Sequence, residues 1–378
     1  MIALARKTLI HEWKRFVPVV LSVGFTGLML ATQAALVLGI FGTAALYVRE
    51  SSGHIWAGYP GTQSVNFGRS VSADAEVWLR MDPDVVAVEP YQWVDGDWTP
   101  ESPGLGSVSV YLSGISTDRE AMLFSRLLPP ELRARLREPG AVIVDSADLD
   151  SLGVSVGGRA WINRYAVRVV ATLPGLRGLG GVNVLASLET ATAIAPQQAN
   201  QGKTYYVARL ADSSRIQAAY ARLAKVGSSF GPLQVWTARE FAQRSQRYWL
   251  LDTGAGTAVM FMALIVCIVG VVITSQSFSA VVAASAREYA TLNALGASRY
   301  ALSRVVIEQA CLVGGLGLLI AAIASALLLA AAAAYHVPVA MTPTAALACI
   351  VMIGLMALLS SLMAIRALFR TDPSLLLR

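Results

Sequence analysis

Four runs of nearly uncharged residues limit what this chain can fold into more than any other feature: Phe16 to Val48, Thr253 to Ala284, Val305 to Ala334 and Ala345 to Ile365. A helix of about 20 apolar residues spans the roughly 30 Å hydrocarbon layer, and within lipid only helices and closed barrels satisfy their own backbones. Four spanning helices are therefore predicted, over 16–48, 249–284 (including the end of a stalk), 303–334 and 345–368. Lys14 and Arg15 before the first run, and Thr43, Ala44 and Ala45 at its end, imitate a secretory signal. The run is about twice the length of a signal's apolar region, so an uncleaved helix is expected. A chain that is 55% hydrophobic yet 14% charged also needs a soluble part.

Charge sets the orientation. Residues 1–16, 283–304 and 366–378 hold ten Lys or Arg against three acids, a balance of +7, whereas 335–344 holds no Lys or Arg. The positive-inside rule then places both termini, the 369–378 tail and the 285–298 connection in the cytoplasm. The large segment after the first span and the short 335–344 loop fall outside. Against a whole-chain charge of +6, about −1 is left elsewhere, so the pI of 9.3 reports membrane flanks and not a nucleic-acid surface. Cys267, Cys311 and Cys349 fall in separate spans, which suits small buried hydrophobes and implies no disulfide framework and no metal site.

Residues 1–15 mix Ile2, Leu4, Leu9, Ile10 and Trp13 with Arg6, Lys7, Lys14 and Arg15, the pattern of a cytoplasmic interfacial amphipathic helix. Gly24, Gly27, Gly39 and Gly42 mark close packing in the first span. Residues 49–248 read as a soluble α+β domain with its own core. Its first part predicts strand 64–67, helix 72–81 and strands 85–91 and 107–115; its last part predicts strand 204–210, helix 213–226 and strand 233–236. Together these would complete one sandwich, with an inserted β-rich lobe at about 116–200 carrying strands 141–144, 159–162 and 165–171. Leu173 to Val182 is the most glycine-dense stretch and reads as a mobile surface loop, since it lacks the lysine and hydroxyl of a phosphate-cradling loop. Thr237 and Glu240 form a capping box opening a helix that runs toward the second span without a Gly or Pro break until Asp252 and the TGAG that follows it. Glu308 lies a turn or so inside the third span. An intramembrane carboxylate is a possible polar site, although Arg304 four residues earlier can neutralise it.

Ser285 to Ser298 stands between two of the longest apolar runs. Ser285 and Glu288 form a capping box, Tyr289, Leu292 and Leu295 recur on one helical face, and Gly296 supplies a closing residue. A helix of about ten residues is too short to span a bilayer, so its apolar face must meet headgroups or another protein.

REYATLNALGAS at Arg287 to Ser298, with YWLLDTGAG at Tyr248 to Gly256 and VGVVITSQSFSA at Val269 to Ala280, resembles the FtsX/MacB-type (type VII) ABC transporter permeases, most like the DevC branch. The resemblance implies four transmembrane helices and, between the first two, an extracytoplasmic porter-like lobe with an inserted lobe. It makes 285–298 a coupling helix, with Arg287, Glu288, Tyr289, Leu292, Leu295 and Gly296 docking on a separate ATPase. It further implies a homodimer in the bacterial inner membrane that moves its periplasmic domains by mechanotransmission, for export of a lipid, glycolipid or other amphiphile. A membrane fusion protein and an outer-membrane channel would be further partners, beside membrane lipids. The alternative is an FtsX-like signalling subunit that activates a cell-wall hydrolase.

No GxxxxGK[ST] occurs, so ATP and Mg are expected to act through the partner and no cofactor is expected on this chain. His11, His54 and His336 are too scattered for a catalytic or metal constellation, and no catalytic residue is expected.

Overall fold

The computed structural model describes residues 11–101, 106–226, 231–285, 291, 298–335 and 337–370. The longer helices include α1 (Trp13–Gly42), α2 (Asp74–Arg80), α3 (Ile216–Val226), α4 (Ala238–Arg247), α5 (Ala255–Ala284), α6 (Arg299–Ala334) and α7 (Pro343–Arg370). The chain divides into two compact units, Met1–Gly39 with Gly256–Arg378, and Ile40–Ala255. Four helical stretches are long and apolar enough to cross a membrane: Trp13–Arg49, Ala255–Ala284, Arg304–Ala334 and Pro343–Met363.

In the helical unit, Phe16 and Val19 of α1 pack with Phe278, Val281 and Val282 of α5 and Val306, Ala310 and Val313 of α6. A second cluster joins Val23 and Leu30 to Ile353 and Met356 of α7. Long apolar faces of α5, α6 and α7 stay uncovered, Phe261, Leu264, Leu319 and Leu347 among them. That is the composition of helices whose solvent is lipid.

The second unit is built on nine strands: β1 (Ile55–Gly58), β2 (Val85–Pro100), β3 (Val108–Ile115), β4 (Ala141–Val144), β5 (Arg159–Ile162), β6 (Tyr165–Thr172), β7 (Val182–Ser187), β8 (Tyr205–Leu210) and β9 (Gln234–Thr237). One lobe is an antiparallel sheet in the order β9-β1-β8-β2, using only the first half of β2. Its two faces are both buried. Ile55, Ala57, Tyr206, Ala208 and Val235 meet Trp78 and Leu79 of α2 and Ala219 and Leu223 of α3. The alternate residues Trp56, Tyr205, Val207 and Trp236 face Phe241 of α4 together with Tyr47 and Val48. From Gln92 onward β2 leaves this sheet and pairs with β3, then with β5, and β3-β7-β4-β6-β5 complete a ring that returns to β2. Val94, Trp98, Leu112, Val144, Ile162, Val169 and Val184 fill this six-stranded barrel, and closure leaves it without a free edge.

Several sequence expectations are corrected here. The first strand is β1, and 64–67 contains instead a short 3-10 turn, Val65–Phe67. The second lobe begins inside β2 and takes in β3, rather than starting at about 116. Residues 40–48 continue the first helical stretch, Trp13–Arg49, as expected, and also pack within the soluble unit, where Ala44, Ala45, Tyr47 and Val48 are buried. Leu173–Val182 is anchored: Asp145 accepts the backbone N–H of Leu176 at 2.7 Å and of Arg177 at 3.2 Å, and Arg177 reaches Asp148 at 2.7 Å. Asn66 and Asn183 donate to the carbonyls of Leu179 and Leu176, so this glycine-rich stretch is a strap held on three sides.

His54 ties the lobe to the segment before it. Its Nδ1 accepts the N–H of Leu210 at 3.1 Å, and its own carbonyl accepts from Ala238 at the start of α4. Burial and the nearby Arg209 and Arg126 hold its pKa below 6.5. With the folded pKa lowered, the unfolded chain takes up the proton first. Stability is full above the unfolded pKa and falls as pH drops through 6.5 toward the folded value. His54→Asn, which keeps an acceptor near Nδ1, is expected to flatten this fall. Melting temperatures of the full chain in detergent at pH 7.5 and 5.5 check it: an unchanged pH slope in the variant would assign the fall to other groups.

Candidate functional site

The sequence placed the working parts at the ends of α5 and α4 and inside α6. Thr237 caps α4 as expected, its hydroxyl accepting from the Glu240 N–H at 3.2 Å. Ser285 is buried, and its N–H bonds Val281 O at 3.1 Å, completing the last turn of α5. Arg287, Glu288, Tyr289, Leu292, Leu295 and Gly296 lie outside the described residues; of 286–297 only Thr291 is described, in helical conformation.

Glu308 sits on α6 with one carboxylate oxygen 3.2 Å from Arg304 Nε, while its other oxygen is buried and has no partner among the described residues. The structure thus joins the two charges that sequence spacing had paired. An intrahelical pair one turn apart sets a cation against the carboxylate. Among the described residues no group of three or more metal-type ligands converges there.

Small residues set how the helices approach one another. A Cβ on Gly27 would lie 2.7 Å from the Ala321 Cβ of α6, and one on Gly317 would lie 2.6 Å from Val23 of α1. Polar bonds join helices as well: Gln33 Nε2 donates to Val259 O at 3.1 Å, and Ser360 Oγ to Val271 O at 3.3 Å. Gly317→Val is therefore expected to cost about 1–3 kcal/mol through overpacking. Gly315→Ala, whose added Cβ meets nothing among the described residues, is expected to be neutral. Recovery of monodisperse full chain after heating in detergent distinguishes the two, and equal loss in both would remove the α1–α6 contact as the cause.

The two ends of the soluble unit are packed together. Tyr47 and Val48, which follow α1, share a core with Trp236 and with Phe241 of α4, where the Trp236 and Phe241 rings stack at 4.7 Å. Tyr47 OH also donates to Asn183 at 2.5 Å. Beyond α4 the helix widens into a π turn, Tyr248–Asp252, and then breaks at Gly254, whose φ is +77°. The helix from α4 therefore runs on only as far as the TGAG, where the sequence allowed a bend, because only glycine takes that left-handed φ without strain. Backbone continuity lies on the other side, where Trp13–Arg49 runs on through a 3-10 turn at Thr43–Ala45. This agrees with the single helix predicted over 16–48, since neither Gly39 nor Gly42 adopts the positive φ that would break it.

The fold thus defines a membrane protein with four bilayer-length helices and a two-lobed α+β domain between the first and second. Residues 260–373, covering most of α5 and nearly all the chain after it, match the FtsX-like permease C-terminal family. No curated protein matches the chain. Among solved structures, it is similar to the extracellular domain of the noncanonic ABC-type transporter YknZ from Gram-positive bacteria, at 12% identity over 49% of this chain and 100% of that one, with a TM-score of 0.34. It is also similar to the periplasmic region of MacB from Actinobacillus actinomycetemcomitans, at 11% identity over 52% and 94%, with a TM-score of 0.34.

Proposed function

We propose that this chain is the non-catalytic permease subunit of an ABC transporter, converting ATP binding and hydrolysis by a separate cytoplasmic ATPase into movement of the α+β domain on the other side of the membrane. The observation that carries this reading is the FtsX-like permease match over 260–373, which includes the connection between α5 and α6 where the sequence places a capped amphipathic helix. The basic flanks favour an inner-membrane arrangement with both termini and that connection in the cytoplasm. The common core of Tyr47, Val48, Trp236 and Phe241 supports mechanotransmission, because displacement of either end of the domain enters the same packed cluster. The four apolar helices with few polar residues favour moving cargo outside the bilayer core over conduction through a polar pore.

The cargo follows from the resemblance: a lipid, glycolipid or other amphiphile, exported by a homodimer with a membrane fusion protein and an outer-membrane channel in a DevC-like arrangement. Co-purification from native membranes tests it. Recovery of an ABC ATPase with a periplasmic adaptor supports export, and recovery of an ATPase with a cell-wall hydrolase would replace export by signalling. An engineered thiol at Ala297 that reacts with an impermeant reagent in intact cells would place the α5–α6 connection outside and remove the coupling assignment.

A further inference from the structure

A second feature lies within the soluble unit and belongs to none of the parts above. Tyr59, Gly61, Gln63, Phe67, Arg69 and Tyr248 line a cleft of about 300 Å³. Its walls are aromatic. Phe67 is half exposed, stacks on Trp249 at 5.9 Å and meets the Tyr248 ring edge-on at 5.4 Å, while Trp249 is held by its Nε1 donating to Ser64 Oγ at 3.2 Å. Its charge is a single cation. The Arg69 guanidinium lies 5.3 Å over the Tyr59 ring and makes no ion pair among the described residues, and no carboxylate lines the cleft. An exposed arginine stacked on a ring keeps its donor fork free for a phosphate or carboxylate, which it binds through two parallel hydrogen bonds.

Size and position narrow the ligand. About 300 Å³ is at the lower limit of small-molecule sites, enough for one polar headgroup and too little for acyl chains. Tyr248 precedes the apolar helix starting at Ala255 by seven residues, which extended chain cannot stretch beyond roughly 25 Å. Tyrosine and tryptophan are the residues enriched at the membrane–water boundary. We propose that this cleft binds the phosphate-bearing headgroup of an anionic membrane lipid, with Arg69 on the phosphate and Tyr59, Phe67 and Tyr248 as its walls. The inference requires that Ala255–Ala284 cross the membrane; it does not require that the chain export anything, so its failure and that of the transport reading are separable.

The test uses the full chain carrying a photo-crosslinking p-benzoylphenylalanine in place of the exposed Gln63, in nanodiscs of phosphatidylcholine with or without phosphatidylglycerol. Crosslinked lipid is identified by mass spectrometry. The expected result is a phosphatidylglycerol adduct that falls about tenfold with Arg69→Ala, the loss of one charge-assisted contact, and falls less with Arg69→Lys, which keeps the charge without the fork. Melting temperature confirms that these surface variants stay folded. Absence of a lipid adduct, or equal labelling of phosphatidylcholine unaffected by Arg69→Ala, overturns the proposal. Full competition by millimolar glycerol 3-phosphate overturns the lipid source and reassigns the cleft to a soluble phosphate ester.

Discussion

Leu292→Asp, and separately Leu295→Asp, is expected to abolish recovery of the ATPase with this chain and its stimulation, while the soluble domain stays folded. With 100° between successive residues, Tyr289, Leu292 and Leu295 fall on one side of the helix that the sequence predicts, and Ala294 falls on the other. If that side docks into an apolar groove, a carboxylate there must lose its hydration without gaining a partner, which costs several kcal/mol and is at least ~100-fold in affinity. Ala294→Asp adds the same charge at the same depth of the helix dipole and is expected to leave binding intact. The pair of measurements is co-purified ATPase per permease and ATP turnover in reconstituted membranes. Normal binding and turnover in both leucine variants would assign coupling to another part of the chain.

Arg133→Met is expected to be the most damaging single change in the soluble domain. Arg133 is 2% exposed, and its guanidinium donates to Ser116 O at 2.9 Å and to Leu123 O. Glu89, 5% exposed, accepts the N–H groups of Met122 and Leu123, and its carboxyl is pushed up by burial, with Arg133 the charge opposing that shift. Both side chains therefore hold the 116–124 segment between the two lobes. Removing the cation leaves two carbonyls unbonded and a buried carboxylate uncompensated, worth about 3–5 kcal/mol. For a domain of this size that corresponds to a fall of about 10 °C in melting temperature. The double variant Glu89→Gln with Arg133→Met should recover part of the loss, because the buried charge is then gone; equal melting of single and double variants would show that the two residues act independently. Raised above its unfolded value, the Glu89 pKa also makes its contribution fullest below the unfolded pKa, declining as pH rises through the folded one.

Much of the architecture was readable from residue order because it follows from local rules. The four long helices follow from run length and charge alone, and β4, β5 and β6 were found at their observed positions since alternation and β-branching act within a strand. The Arg304–Glu308 pair and the Thr237 cap were equally local, at four and three residues' separation. β1 escaped because Ile55–Gly58 is covered on both faces and so shows no alternation. The glycine strap at 173–182 was read as mobile since its anchors, Asp145, Asn66 and Asn183, come from other parts of the chain.

Sequence alone thus determined that the chain is a membrane protein with a soluble domain between its first two spans, and which connections carry positive charge, because hydropathy and charge act residue by residue. Only the tertiary structure decided that β2 serves both a sheet and a closed barrel, that 40–48 pack with the domain while continuing the first helix, and that Gly254 is the residue at which the TGAG bends. Each of those outcomes depends on which distant surfaces cover one strand, one apolar turn or one glycine. Such coverage is a property of the assembled core, and no window along the chain contains it.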